Sequence, residues 1–354
     1  MQFSSRLYTA FIGLYLSVSS VAAVPGLSLA VSGSNSFAGI ENFKIKTSLV
    51  NSGGETLKLL KDPRTILSSL PTDSFTISND GGSSPEFTGV RVKFVPEYVI
   101  ENNIEEVFVV LEPGASFELE HDLSTSYNFT DPGEGAYNIR ANTQFLYIDP
   151  ATKELVELGA THEAALVATL SGTLSIDLTD RRAKKIQYVS CSDSRQSKLK
   201  TAADDAKSYA SSAAAYLGSH TSTTPRYESW FGKYGPVRHN KVLKHFNAIE
   251  GFGFHKDVTY DCTCDDAGVF AYVKANQYGT IYLCRAFWNA PATGSNSRAG
   301  TLVHEASHFK AVAGTEDFTY GKGPARKLAK DDPAKAIQNA DSLEYFAENH
   351  PAED

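Results

Sequence analysis

Methionine occurs once in the 354 residues, as Met1. Cysteine is missing from the first half of the chain, and Cys191, Cys262, Cys264 and Cys284 all lie in the second. There is no basic excess: 33 Lys+Arg face 41 Asp+Glu, for a net charge of −8. Phosphate backbones demand clustered cations, so a general nucleic-acid binder is excluded. No apolar run reaches the roughly 20 residues that a spanning helix needs, so no membrane partner is expected. Glycine and proline, 26 and 14, are too few for a collagen-like or low-complexity chain. Hydrophobic residues at 42% and charged ones at 21% give an ordinary globular balance. The length predicts about two domains.

The N-terminus carries Arg6, a short apolar stretch over 8–18, and small residues at Val21-Ala22-Ala23. This reads as a signal peptide over 1–23, cut after Ala23, which makes the protein secreted and extracellular. Secretion makes disulfides the default for four cysteines. Pairing Cys262 with Cys264 would close a ring across one residue and is discounted. The other two pairings stay open, and each ties the start of the second half to its strands. A cysteine zinc site is disfavoured by secretion and by the lack of a second close pair.

Residues 24–178 alternate with period two, as at Phe43, Ile45, Thr47 and Leu49, at Val90, Val92 and Phe94, and at Tyr137, Ile139 and Ala141. Gly, Ser, Asn, Asp and Pro clusters separate these runs. The pattern predicts an antiparallel β-sandwich. Asn128-Phe129-Thr130 is the one glycosylation sequon of this half and suits a surface turn. The basic cluster Arg181-Arg182-Ala183-Lys184-Lys185 follows. Residues 188–354 hold 19 Lys+Arg and 19 Asp+Glu, so the whole −8 falls on residues 1–187. The dibasic run and this asymmetry place a boundary at 187/188. The expected organisation is a signal peptide (1–23), a β-rich segment (24–187) and a second domain (188–354).

The second domain turns helical. Apolar spacing of three and four predicts helices over 196–217, 238–249 and 299–312. Asp332 before Pro333 starts a fourth over 333–348. Residues 270–274 and 280–284 read as a β-hairpin across Asn276-Gln277-Tyr278-Gly279. The overall class is α+β: an all-β sandwich-like segment followed by a mainly helical domain with a small antiparallel sheet.

His304-Glu305-Ala306-Ser307-His308 places two imidazoles one helical turn apart on one face, where both can bind one metal. Glu305 is then positioned to take a proton from the attacking water. Flanking apolar residues make this helix amphipathic and partly buried. A catalytic zinc usually has three protein ligands. No His lies between His308 and His350, and no Met-turn can exist, so the metzincin pattern is excluded. Glu344 is the third ligand in a thermolysin-like alternative. The nearer candidate is Asp317, in Gly314-Thr315-Glu316-Asp317-Phe318-Thr319-Tyr320. Gly314 is suited to end the helix in a left-handed cap.

H-E-x-x-H followed by G-T-x-D-x-x-Y resembles the signature of the deuterolysin-like metallopeptidases, the aspzincins, with every fixed position present. The likeness extends over 188–354, where the cysteine positions and helix order resemble the fungal peptidyl-Lys branch. It implies a zincin-type catalytic domain with one Zn2+ held by His304, His308 and Asp317. It implies Tyr320 as an oxyanion-stabilising hydroxyl, disulfides Cys191–Cys262 and Cys264–Cys284, and a zymogen with the β-rich segment as propeptide. It also implies that Asp341 and Glu344, three apart on one helical face, bind the ammonium of a lysine at P1′. A buried ammonium needs such carboxylate partners. The hairpin at 270–284 would supply an edge strand for an extended substrate. Neutralising Asp341 and Glu344 is expected to leave the zinc undisturbed. The expected partners are protein or peptide substrates and the chain's own propeptide, and the protein is expected to be a monomer. The rival readings are a deuterolysin-like protease of broader specificity and an inactive secreted β-sandwich binding protein.

Overall fold

A computed structural model describes residues 24–162, 164–176 and 185–353. The expected signal peptide and most of the basic cluster lie outside the described residues. Among the described residues no helix is long and apolar enough to cross a membrane.

The N-terminal half packs a seven-stranded sheet and a four-stranded sheet around one apolar core. Leu29, Ile45 and Leu49 enter it from one sheet, and Ile77, Tyr137, Ile139, Ala168 and Leu170 from the other. Their alternation is the period-two pattern of the sequence, since successive strand side chains point to opposite faces. Pairing is mostly antiparallel, but Leu27–Gly33 runs parallel to Leu155–His162, and Ser36–Ala38 parallel to Leu166–Ser171. Asn128 lies half-buried in the short strand Tyr127–Asn128, and its side chain accepts from the Thr130 N–H at 2.9 Å. It therefore stands in a strand rather than a surface turn.

In the C-terminal half the helix Asp193–Ser219 carries a stripe of Ala202, Ala203, Ala206, Ala210 and Ala213. These small side chains let the helices Pro236–Glu250 and Arg298–His308 approach closely. The sheet of this half is mixed, correcting the expected small antiparallel sheet. Gln187–Val189, Thr259–Asp261 and Thr280–Leu283 run parallel, and Val269–Lys274 is antiparallel to Thr280–Leu283. The outermost strand, Val90–Phe94, comes from the N-terminal half and pairs antiparallel with Val269–Lys274. Its period-two pattern is genuine, but it serves the other half's sheet. Both disulfides, Cys191–Cys262 and Cys264–Cys284, are present.

Two helices differ from the spacing. The one expected over 299–312 ends at His308. Gly314 does adopt φ +60, but it closes the following turn, its N–H reaching Phe309 O at 3.1 Å. The one expected over 333–348 breaks into Pro333–Ala336 and Ala340–Glu348. The break accommodates the chain around Glu316, whose N–H donates to Gln338 O at 2.8 Å and whose carbonyl accepts from Ala340 N at 3.0 Å.

Candidate active site

The helix Arg298–His308 starts at Ser297, whose hydroxyl accepts from the Gly300 N–H at 2.9 Å and donates to Glu348 Oε1 at 2.8 Å. A Cβ on Gly300 would collide with that carboxylate, so a larger residue here would have to displace Glu348 from the helix start. Residues 299–308 are buried on every side, more completely than the expected amphipathic helix. Packing against Asp193–Ser219 and Ala340–Glu348 encloses it.

His304 Nε2 and His308 Nε2 each lie 3.3 Å from Asp317 Oδ1. Both histidines are buried, the Asp317 side chain is 6% exposed, and these three atoms have no hydrogen-bond partner. Tetrahedral zinc with bonds of ~2.0–2.1 Å spaces its ligand atoms about 3.3–3.4 Å apart. The donor set therefore fits the metal in both chemistry and spacing. The opposite ring nitrogens are tethered. His308 Nδ1 lies 2.9 Å from the Thr315 carbonyl, an acceptor, so it carries the proton and Nε2 presents its lone pair. His304 Nδ1 lies 3.0 Å from Asp341 Oδ1 and 3.2 Å from Glu344 Oε2.

Asp341 and Glu344 thus approach His304 at Nδ1, while its Nε2 faces Asp317. This does not favour Glu344 as third ligand beside His304 and His308. The two carboxylates lie beside His304 rather than among the atoms that face Asp317. Asp341 Oδ2 additionally accepts from the Gly321 N–H at 2.7 Å.

The acidic pair already holds a lysine. Lys93, in the Val90–Phe94 strand, places its Nζ 2.9 Å from Asp341 Oδ1 and 2.7 Å from Glu344 Oε2, with all three side chains 0% exposed. Its ammonium lies 4.8 Å from the centre of the Tyr345 ring. Burial alone would lower the Lys93 pKa, but the two carboxylates reverse this and raise it. Burial pushes Asp341 upward, and Lys93 and His304 outweigh it and hold that carboxyl low. The Lys93 backbone N–H donates to Glu305 Oε1 at 3.1 Å, and the Val92 N–H to Asp317 Oδ2 at 2.9 Å.

Glu305 is fully buried, and desolvation drives its carboxyl well above the usual range. His304 opposes the shift and Asp317 adds to it. Tyr320 is buried, with Arg64 stacked 5.0 Å over its ring and Phe94 edge-on at 5.8 Å. Burial, then the charges of Asp317 and Asp62, raise its phenol well above the ordinary value, so the hydroxyl stays protonated.

Sequence reasoning missed Lys93, since nothing local distinguishes it from the other lysines. It also missed the Thr315 carbonyl and the link from Asp341 to His304, because both depend on chain crossings. Paired histidines, a facing carboxylate and a buried glutamate form the centre of a metal-dependent hydrolase.

The family model described as lysine-specific metallo-endopeptidase, the M35 aspzincins, matches residues 216–348. A peptidyl-Lys metalloendopeptidase of Grifola frondosa is 47% identical over 349 residues, covering 99% of both chains. One from Pleurotus ostreatus is 52% identical over 165 residues, covering 47% of this chain and 98% of its own. A solved zinc peptidase from Grifola frondosa is 52% identical and covers 46% of this chain and 100% of its own, with a TM-score of 0.46. The chain belongs to the M35 aspzincin family and is a zinc metalloendopeptidase.

Proposed function

We propose that this protein is a secreted zymogen whose C-terminal half, 188–354, hydrolyses Xaa–Lys peptide bonds with lysine at P1′. The observation that carries the specificity is the buried Lys93 ammonium between Asp341 and Glu344, with its own backbone N–H on Glu305. His304, His308 and Asp317 would hold one zinc, which when bound supplies a Lewis acid for the scissile carbonyl and acidifies water.

The remaining chemistry belongs to the chain. Glu305 takes the proton of the attacking water and returns it to the leaving amine. The 3.1 Å contact from the Lys93 N–H marks where that nitrogen sits. The protonated Tyr320 hydroxyl donates to the developing oxyanion, an interaction worth roughly 2.7–4 kcal/mol for a well-placed donor. The strand Val269–Lys274 holds the substrate extended by adding it as an edge strand, as it now holds Val90–Phe94.

Secretion is supported by the N-terminal pattern and by two disulfides. The 165-residue relative, which matches less than half of this chain, supports a catalytic half that works alone. Mass-spectrometric mapping of cleavage sites in a denatured protein tests the specificity. Cuts confined to the amino side of lysine are expected, and cuts spread over many residue types would refute it.

A further inference from the structure

The β-rich half does more than precede the catalytic half, because it fills the catalytic cleft in the manner of a substrate. Val92 faces Tyr272 and Lys93 faces Ala271 in an antiparallel ladder along the edge that an extended peptide would use. The Lys93 side chain fills the acidic pocket, and its N–H occupies Glu305. Around this strand the halves share an apolar cluster of Val92, Phe94, Val99, Val107, Val269 and Tyr320. Arg64 reaches across to Phe318 O at 3.1 Å, and Arg285 to Glu106 at 3.2 Å. None of these contacts depends on the covalent connection through residues 177–184.

We infer that residues 24–176 are a tight, lysine-keyed inhibitor of the C-terminal half that stays bound after the connection is cut. Severing the basic cluster alone therefore yields an inactive two-chain complex, and activation requires destruction of the β-rich half. This rests on the lysine pocket proposed above. Lys93 supplies the key because withdrawing its ammonium from between two buried carboxylates leaves both without that counter-ion at 0% exposure.

The test uses the full chain with Glu305→Gln, which prevents self-cleavage. A recognition sequence for a foreign protease that ignores lysine is inserted between Asp180 and Arg181. After nicking, size-exclusion chromatography and surface-immobilised dissociation measure whether the halves separate. The halves of the nicked chain should co-elute at micromolar concentration. Lys93→Met should weaken the complex at least about a hundredfold. Glu344→Gln, which leaves the β-rich half unaltered, should weaken it at least about tenfold, so a misfolded Lys93 variant cannot decide the outcome. Lys310→Ser, which removes an exposed pair with Glu86, should change it by less than about fivefold. Spontaneous separation of the nicked wild-type halves would overturn the inference, as would unchanged affinity in Glu344→Gln. With Glu305 restored, the isolated C-terminal half is mapped on lysine peptides in parallel. Lysine cleavage together with freely separating halves would overturn the inhibitor and leave the enzyme assignment standing. Absence of lysine preference would overturn the pocket itself.

Discussion

Replacing Asp341 by Asn probes two functions of one side chain. Three nitrogens surround its carboxylate: the Lys93 ammonium and the Gly321 N–H donate to it at 2.9 and 2.7 Å, and His304 Nδ1 lies 3.0 Å away. Asparagine offers one acceptor oxygen and an amide NH2, so at least one of these donors meets another donor. When a lysine substrate replaces Lys93, its ammonium loses one of two buried partners. Breaking such a pair costs about 3–5 kcal/mol, which at 1.36 kcal/mol per tenfold is at least about a hundredfold in kcat/KM. The slack on His304 should separately weaken zinc binding by about ten- to a hundredfold, the usual effect of losing a carboxylate behind a ligating imidazole. The assay is a matched pair of peptides, lysine or norleucine after the scissile bond, at saturating zinc, with metal affinity measured by chelator competition. The lysine peptide should lose at least about a hundredfold and the norleucine peptide less than about tenfold. An equal loss on both peptides at saturating zinc would refute the pocket and make Asp341 purely a support for the metal site.

Glu305→Gln should bind zinc and lose about 10²–10⁴ in turnover, the range of a general base; metal content and peptide hydrolysis measured on one sample check both. His121 is desolvated in the β-rich half, with Nε2 3.0 Å from Thr47 Oγ1, and its pKa falls from 6.5 to about 4. The native imidazole stays neutral while the unfolded one protonates, so stability is lost as pH falls from about 6.5 toward 4. Discounted for its partial exposure, this amounts to about 1–2 kcal/mol. Melting temperatures from pH 7.5 to 4 should show a shallower acid slope in His121→Gln than in the parent chain. Removing the Cys191–Cys262 disulfide, which spans 71 residues, should cost about 4 kcal/mol, and Cys264–Cys284, which spans 20, about 3 kcal/mol. Denaturant unfolding of paired Ser variants reads the difference, and equal losses would contradict the loop-entropy account.

The sequence by itself determined what lies within a few residues of chain. His304 and His308 share a helical face because 3.6 residues complete a turn. Asp317 falls in reach through a short turn, and alternation revealed the strands of the N-terminal half. Even the strand Val90–Phe94 was legible as a strand. Its destination was not, because alternation records that a strand buries one face and says nothing about which sheet receives it. Only the tertiary structure decided that Lys93 crosses 248 positions of chain to Asp341, and that the Glu316 backbone wedges open the last helix. It likewise decided that one carboxylate serves both a histidine and an ammonium. Such contacts are set by packing between distant segments, where burial removes the competing water and makes each unpaired charge costly. Local spacing carries no record of that cost.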